Sequence, residues 1–309
     1  MSIIEKAMSR RDPLEQSGIA LMIPAKNESA ATPESLTGKE EAKSHNKKRV
    51  DSAPPAETAP EVQVSADGRI SPVGQINLAK LHKAGMITPD GEKTQIAEEF
   101  RLIKRPLITN VFNQGAAQIK NANLIMVTSS LAGEGKSFCA INLAMSIAME
   151  MDHTVLLVDA DVAKPSLPGF LGLKSDKGLM DVLLDDELQL SDVMIRTNVE
   201  KLSILPAGRG NRYATEMLAS EAMSRLLQEM AHRYRDRVII FDSPPLLATT
   251  EARVLAAHMG QIVMVVEAEK TTQDQLQEAL AQIESCDVVG LLLNKGRAML
   301  GTDYPLYGY

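Results

Sequence analysis

Six short runs, Leu124–Thr128, Val155–Val158, Leu202–Leu205, Val238–Phe241, Ile262–Val266 and Val288–Leu293, are rich in Val, Ile and Leu and almost continuously apolar. A strand with one wet face alternates apolar and polar side chains, so unbroken runs of this length belong to strands covered on both faces. Between them, Ser137–Glu150, Thr215–Tyr234, Thr250–His258 and Thr272–Glu284 have the length and period of crossover helices. Such alternation specifies a parallel sheet with helices packed on both sides. The expected fold class is therefore α/β, a doubly wound and mainly parallel sheet sandwich.

Composition closes off several functions. The formal charge is −7 and no basic run is longer than Lys47-Lys48-Arg49, so no nucleic acid is expected as a partner. Cys139 and Cys286 are the only cysteines, far apart and without a CxxC or Cys/His cluster, which argues against zinc, iron–sulfur and disulfide frameworks. Apolar stretches fall well short of the ~20 residues that span a bilayer, and the N-terminus lacks a signal-peptide core. The expected location is cytoplasmic, with any membrane association supplied by a partner.

The first strand runs into Ser130-Leu131-Ala132-Gly133-Glu134-Gly135-Lys136-Ser137 and then into a helix. In that context glycines let backbone N–H groups point at phosphate oxygens, and the helix adds the positive end of its dipole. Lys136 would reach the outer phosphates and Ser137 would take one position on Mg²⁺. Ser130 stands where the common phosphate-loop pattern has glycine. Val155–Val158 ends in Asp159-Ala160-Asp161 and Val238–Phe241 in Asp242-Ser243-Pro244-Pro245. Carboxyl ends of parallel strands line the ligand crevice, so all three acids can face the loop. Mg²⁺ takes one or two carboxylates and keeps waters. The remaining acid can accept a proton from an attacking hydroxyl.

These motifs resemble the cytoplasmic catalytic domain of the bacterial tyrosine kinases (BY-kinases), specifically the soluble autokinases associated with exosortase-linked exopolysaccharide operons. The resemblance covers about Glu98 to Tyr309 and rests on Gly133–Ser137, the double-Asp strand Val155–Asp161, the strand Val238–Pro245 and a tyrosine-bearing tail. It implies a P-loop NTPase fold, ATP and Mg²⁺ as cofactors, and phosphorylation of protein tyrosines. It implies catalytic roles for Lys136, Asp159, Asp161 and Asp242, with Ser137, Asp159 and Asp242 at the metal. Nucleotide contacts would come from Gly133, Glu134, Gly135, Lys136, Ser137 and Phe138. Asn294, after the last strand, occupies a place where related ATPases read adenine. The family closes subunits into a ring through Glu-x-x-Arg-x-x-Arg, and Glu98, Arg101 and Lys104 hold that spacing with Lys last. The implied partners are a homo-oligomer, protein tyrosine substrates, and an inner-membrane polysaccharide chain-length (co-polymerase) protein acting as activator. That activator would hold the protein peripherally at the inner membrane.

Three of the five tyrosines, Tyr304, Tyr307 and Tyr309, fall in the last six residues, among Gly and Pro that oppose regular structure. They are the expected phosphoacceptors. Residues 1–15 are expected to be a short amphipathic segment carrying Ile3, Ile4, Ala7 and Met8 on one stripe, and 16–75 a disordered linker rich in Ala, Pro, Ser, Glu and Lys. Residues 76–120 are expected to be a helical oligomerisation or docking segment, with Ile96, Phe100, Ile103 and Leu107 on one buried face and Pro106 kinking the helix or starting another. The kinase domain follows over 121–300 and the tail over 301–309. Two other readings share the fold. A positioning ATPase of the chromosome-partition or septum-site class would carry a signature Lys where Leu131 stands, and a non-catalytic nucleotide-gated regulator would leave the tyrosines incidental.

Overall fold

The computed structural model describes residues 73–91, 94–112 and 119–296. The N-terminal stripe, the linker up to residue 72 and the three tail tyrosines lie outside the described residues. In chain order the first elements are β1 (Val73–Gly74), α1 (Leu78–Lys83), α2 (Gln95–Phe112), β2 (Leu124–Ser129), α3 (Lys136–Ala148), β3 (Thr154–Asp159), α4 (Leu167–Leu171), α5 (Leu179–Leu184) and α6 (Leu190–Val193). They are followed by β4 (Ile195–Thr197), β5 (Leu202–Leu205), α7 (Ala214–Leu218), α8 (Glu221–Arg233), β6 (Arg237–Asp242), α9 (Thr250–Ala256), β7 (Gln261–Glu267), α10 (Gln273–Ala281) and β8 (Val288–Asn294).

The strands form one sheet in the order β1-β4-β5-β3-β6-β2-β7-β8. Every neighbouring pair is parallel except β4 and β5. Each of the six apolar runs is a strand, and every residue of β2 is buried. The reason is visible in the packing: Leu124, Met126, Leu156, Phe241 and Met264 join one apolar cluster, while Ile125, Val127, Leu157, Ile240 and Val265 join the other. Alternate residues thus feed opposite faces, and both faces are covered by helices. The two strands that the pattern misses, β1 and β4, are two and three residues long, too short to carry a period.

The described residues of 76–120 pack into the core beneath one face of the sheet. Ile76, Leu81, Met86, Ile87, Phe100, Ile103 and Leu107 belong to the same apolar cluster as the sheet residues Ile125 and Val127. Asn142 on α3 reinforces the join, accepting from Ile87 N at 2.7 Å and donating to Phe138 O at 2.8 Å. The ordered fold also starts before residue 76, because Val73 and Gly74 pair with Arg196 and Thr197. Pro106 neither ends α2 nor divides it; the helix is continuous from Gln95 to Phe112. The stretch Thr215–Tyr234 is instead two helices, since the Ser220 hydroxyl accepts from Met223 N and caps α8.

Lys104 also departs from expectation. Of the three residues at the motif spacing, Glu98 and Arg101 lie at the surface of α2, paired at 3.2 Å. Lys104 is 6% exposed, and its ammonium donates to Ser146 O at 2.6 Å and pairs with Glu150 Oε1 at 2.6 Å. A buried ammonium needs this full set of partners, and it pins α2 to the end of α3. Lys104→Met removes the donor while keeping the stem. Chemical denaturation is expected to show a loss of about 1–2 kcal/mol, the cost of leaving a buried carbonyl and one carboxylate unpaired.

Candidate active site

β2 ends at Ser129 and the chain turns through a loop whose Gly133 and Gly135 have φ of 90° and 99°. Both are left-handed conformations that L side chains resist. Gly135 caps α3, and a Cβ there would run into the side-chain amide of Asn294. Gly135→Ala should therefore weaken binding of a fluorescent ATP analogue by about tenfold or more, through strain of about 1–2 kcal/mol and displacement of Asn294. Ser130 needs no such freedom: it is absent from the positive-φ residues, which explains how Ser replaces the customary glycine.

Glu134 does not point outward at a ligand. It is 2% exposed; Oε2 accepts from Leu131 N at 2.8 Å and Oε1 from the Thr271 hydroxyl. Its carbonyl accepts from Asn294 Nδ2 at 2.8 Å, and Gly133 O accepts from Lys295 Nζ at 2.7 Å. Lys295 is anchored in turn by Glu267 at 3.2 Å. The phosphate loop is thus shaped from within by Glu134 and held from the ends of β7 and β8. Asn294, expected where related ATPases read adenine, lies beside the loop with its amide nitrogen committed to loop backbone. Phe138 is partly buried, packed against the apolar cluster that includes Val127 and Ile141.

The acids converge as the strand ends predict. Asp159 and Asp242 are direct Cα partners across β3 and β6, and both are fully buried. Asp159 Oδ2 accepts from Ser166 N and Leu167 N, both at 3.0 Å, whereas Oδ1 is buried without a hydrogen-bond partner. Burial pushes its carboxyl up to about 6, against the pull of those two amides. Neither oxygen of Asp242 has a hydrogen bond of good geometry. Burial raises this carboxyl to about 7, opposed by the nearby Ser137 hydroxyl and Lys136 ammonium. Asp161 sits nearer the rim, accepting from Lys164 N at 3.1 Å and pairing with Lys136 Nζ at 3.5 Å. Ser137 Oγ lies 3.2 Å from Ser166 Oγ.

Buried carboxylate oxygens without donors are costly unless something positive completes the site. Asp159 Oδ1, both Asp242 oxygens and the Ser137 hydroxyl form a set of hard oxygen donors suited to Mg²⁺. Among the described residues no three His, Cys, Asp or Glu side chains gather as a metal cage. Mg²⁺ retains waters and takes further oxygens from phosphate. Cys139 is buried on α3, and burial, with Asp242 nearby, pushes its thiol up to about 12; it is a core residue, not a nucleophile. Ser166, Thr271 and Lys295 escaped the sequence motifs. The signal available for Lys295 and Thr271 was position alone, just past the carboxyl ends of two strands.

A family model described as an AAA domain matches residues 122–289. The tyrosine-protein kinase YwqD of Bacillus subtilis is 30% identical over 218 residues, covering 70% of this chain and 88% of that protein. The tyrosine-protein kinase Wzc of Salmonella typhi is 28% identical over 235 residues, which are 74% of this chain but 31% of that one. Among solved structures, the chimerical protein CapA2B2 superimposes with a TM-score of 0.57 at 26% identity, over 74% of this chain and 96% of that chain.

Proposed function

This chain belongs to the bacterial tyrosine-protein kinase family, and from that premise we propose that it is an autokinase that transfers the γ-phosphoryl group of ATP to its own Tyr304, Tyr307 and Tyr309, between subunits. The observation that carries this reading is the set of buried, donor-poor carboxylates, Asp159 and Asp242, facing Lys136 and Ser137 across the phosphate loop. A free tyrosine has a pKa near 10, so a carboxylate must take its proton as the oxygen–phosphorus bond forms and the bond to the ADP oxygen breaks. Asp159 and Asp161 share that task with metal binding. Lys136 gathers the negative charge that develops on the transferred group. Mg²⁺, held by Ser137, Asp159 and Asp242, would neutralise phosphate charge. The residue pattern of the loop carries no signature Lys at Leu131, which favours a kinase over a positioning ATPase.

The enzyme works as a homo-oligomer, with Glu98 and Arg101 on the exposed face of α2 available for a ring contact. Its activator is an inner-membrane polysaccharide chain-length protein, and its role is to regulate exopolysaccharide polymerisation and export from the cytoplasmic side. Among the described residues no helix is long and apolar enough to cross a membrane.

Replacing Tyr304, Tyr307 and Tyr309 together with Phe tests the acceptor assignment. The triple variant should incorporate no phosphate into itself yet still phosphorylate a synthetic tyrosine copolymer. Undiminished self-phosphorylation of the variant would refute it.

A further inference from the structure

Two loops beside the crevice carry charge that the transfer reaction does not use. β3 and β5 are parallel neighbours with Val158 opposite Leu205, so the segments leaving their carboxyl ends emerge side by side. The turn before α5 packs on the segment after β5: Leu179 N donates to Pro206 O at 2.8 Å and Met180 N to Ala207 O at 2.9 Å. Asp181 fastens the two, its Oδ2 accepting from Gly178 N at 2.9 Å and Arg209 N at 3.2 Å. The approach is close enough that a Cβ at Gly178 would strike the Pro206 carbonyl.

The consequence is a cationic edge. Lys174, Lys177, Arg209 and Arg212 are exposed on these loops, and Lys164 is exposed three residues beyond Asp161. Asp181 is spent on backbone amides and reaches the Arg209 side chain only at 3.9 Å. Asp176 and Asp161, the latter paired with Lys136, are the other carboxylates of the two loops, while Asp185, Asp186 and Glu187 are carried off by the length of α5, about 9 Å. Lys164, Lys174, Lys177 and Arg212 have no ion pair among the described residues. Arg212 stacks at 4.9 Å over the exposed ring of Tyr213, which holds its planar fork in one orientation.

We propose that this edge binds the phosphorylated form of residues 301–309 from a second copy of the chain. The inference rests on the tail-autokinase reading above and names what happens to the product. Each phosphate brings about −1.5 to −2 charges into a crevice already lined by Asp159, Asp161 and Asp242, so a modified tyrosine must leave it. Arg and Lys beside the crevice offer the charge-assisted hydrogen bonds that phosphate takes best. In an extended segment Tyr304 and Tyr307 stand about 10 Å apart, so one can rest on the edge while the next enters the site. A chain's own tail is poorly placed to bring its first tyrosine, Tyr304, to this edge. Its root, Asn294 and Lys295, is tied to the phosphate loop on the β8 side, and β8 and β5 lie about 24 Å apart at ordinary strand spacing. Eight residues from 296 to Tyr304 span about 27 Å fully stretched, which leaves that tyrosine no slack to cross the crevice and turn back.

The test uses full-length Lys136→Met protein, which cannot modify anything, and a fluorescent synthetic peptide of residues 301–309 carrying phosphate on its three tyrosines. Anisotropy should show binding at least about tenfold tighter than that of the unphosphorylated peptide, and a similar loss when Arg209→Gln and Arg212→Gln are added. In active protein the same pair of substitutions, with unchanged melting temperature, should leave the first phosphorylation at its normal rate and accumulate singly modified chains. Equal binding of the two peptides, or full binding by the double variant, overturns the proposal. The peptide arrives already phosphorylated, so this result is independent of whether the enzyme modifies its own tail. Phosphopeptide binding by a protein whose own tail stays unmodified in Mg·ATP would sink the autokinase reading and leave the edge as a phosphotyrosine site.

Discussion

Lys136→Met protein is expected to show no measurable phosphate incorporation under single-turnover conditions, a loss of at least about 1000-fold. Phosphoryl transfer leaves little covalent work to a protein, so most of the acceleration comes from positioning and from charge placed against the transferred group. Lys136 is the cation built for that place: it opens α3 behind two left-handed glycines and is nearly buried, with its ammonium 3.5 Å from Asp161. In a water-poor crevice the loss of one such charge costs several kcal/mol of transition-state stabilisation. The fold should survive, because the strut formed by Glu134, Asn294, Thr271 and Lys295 shapes the loop without Lys136. A variant that melts as the parent does yet retains more than about a tenth of the rate would show that Lys136 is not the principal cation.

The second large effect has opposite signs for stability and activity. Asp242→Asn should eliminate phosphorylation and, in the absence of Mg²⁺ and nucleotide at pH 8, make the protein more stable by roughly 2–4 kcal/mol. Burial raises the Asp242 carboxyl to about 7, well above its ordinary value near 3.9 in an unfolded chain. The folded state therefore holds a proton that the unfolded state has already released, and stability falls as pH rises between about 4 and 7. Below about pH 4 both states are protonated and the difference vanishes. Asp159, raised to about 6, adds to the same slope. Denaturant melts of parent and Asn variant across pH 4 to 8 would measure this directly: the two should converge in acid and separate with rising pH. Millimolar Mg²⁺ should stabilise the parent and leave the variant unmoved. Curves that stay parallel would mean that Asp242 is solvated in the free protein, and the case for a prebuilt metal site would weaken with it.

Much of this site is legible in the chain itself because it depends on strand ends. Continuous apolar runs identify the six long strands, and the residues that follow two of them must meet at one edge of a parallel sheet; Asp159 and Asp242 do so as direct neighbours. What could not be read depends on contacts between segments distant in sequence. The capture of Lys104 by Ser146 and Glu150 turns a residue spaced for an exposed motif into a buried anchor, because α2 packs on α3 at that position. Glu134 looks like a ligand contact by its position in the loop, yet the hydroxyl of Thr271 and the amide of Leu131 turn it inward. β1 and β4 exist only because the sheet offers their few residues an edge. Helix breaks follow local chemistry more closely: the Ser220 cap divides one predicted helix in two, whereas Pro106 is tolerated where surrounding apolar contacts, including Ile103 and Leu107, hold α2 together.

The decisive measurement is site-resolved mass spectrometry of the purified protein after incubation with Mg·ATP, alone and mixed with Lys136→Met protein as acceptor. Phosphate confined to Tyr304, Tyr307 and Tyr309, and present on those residues of the inactive acceptor, is the predicted result. Steady hydrolysis of ATP with those three tyrosines unmodified would contradict it.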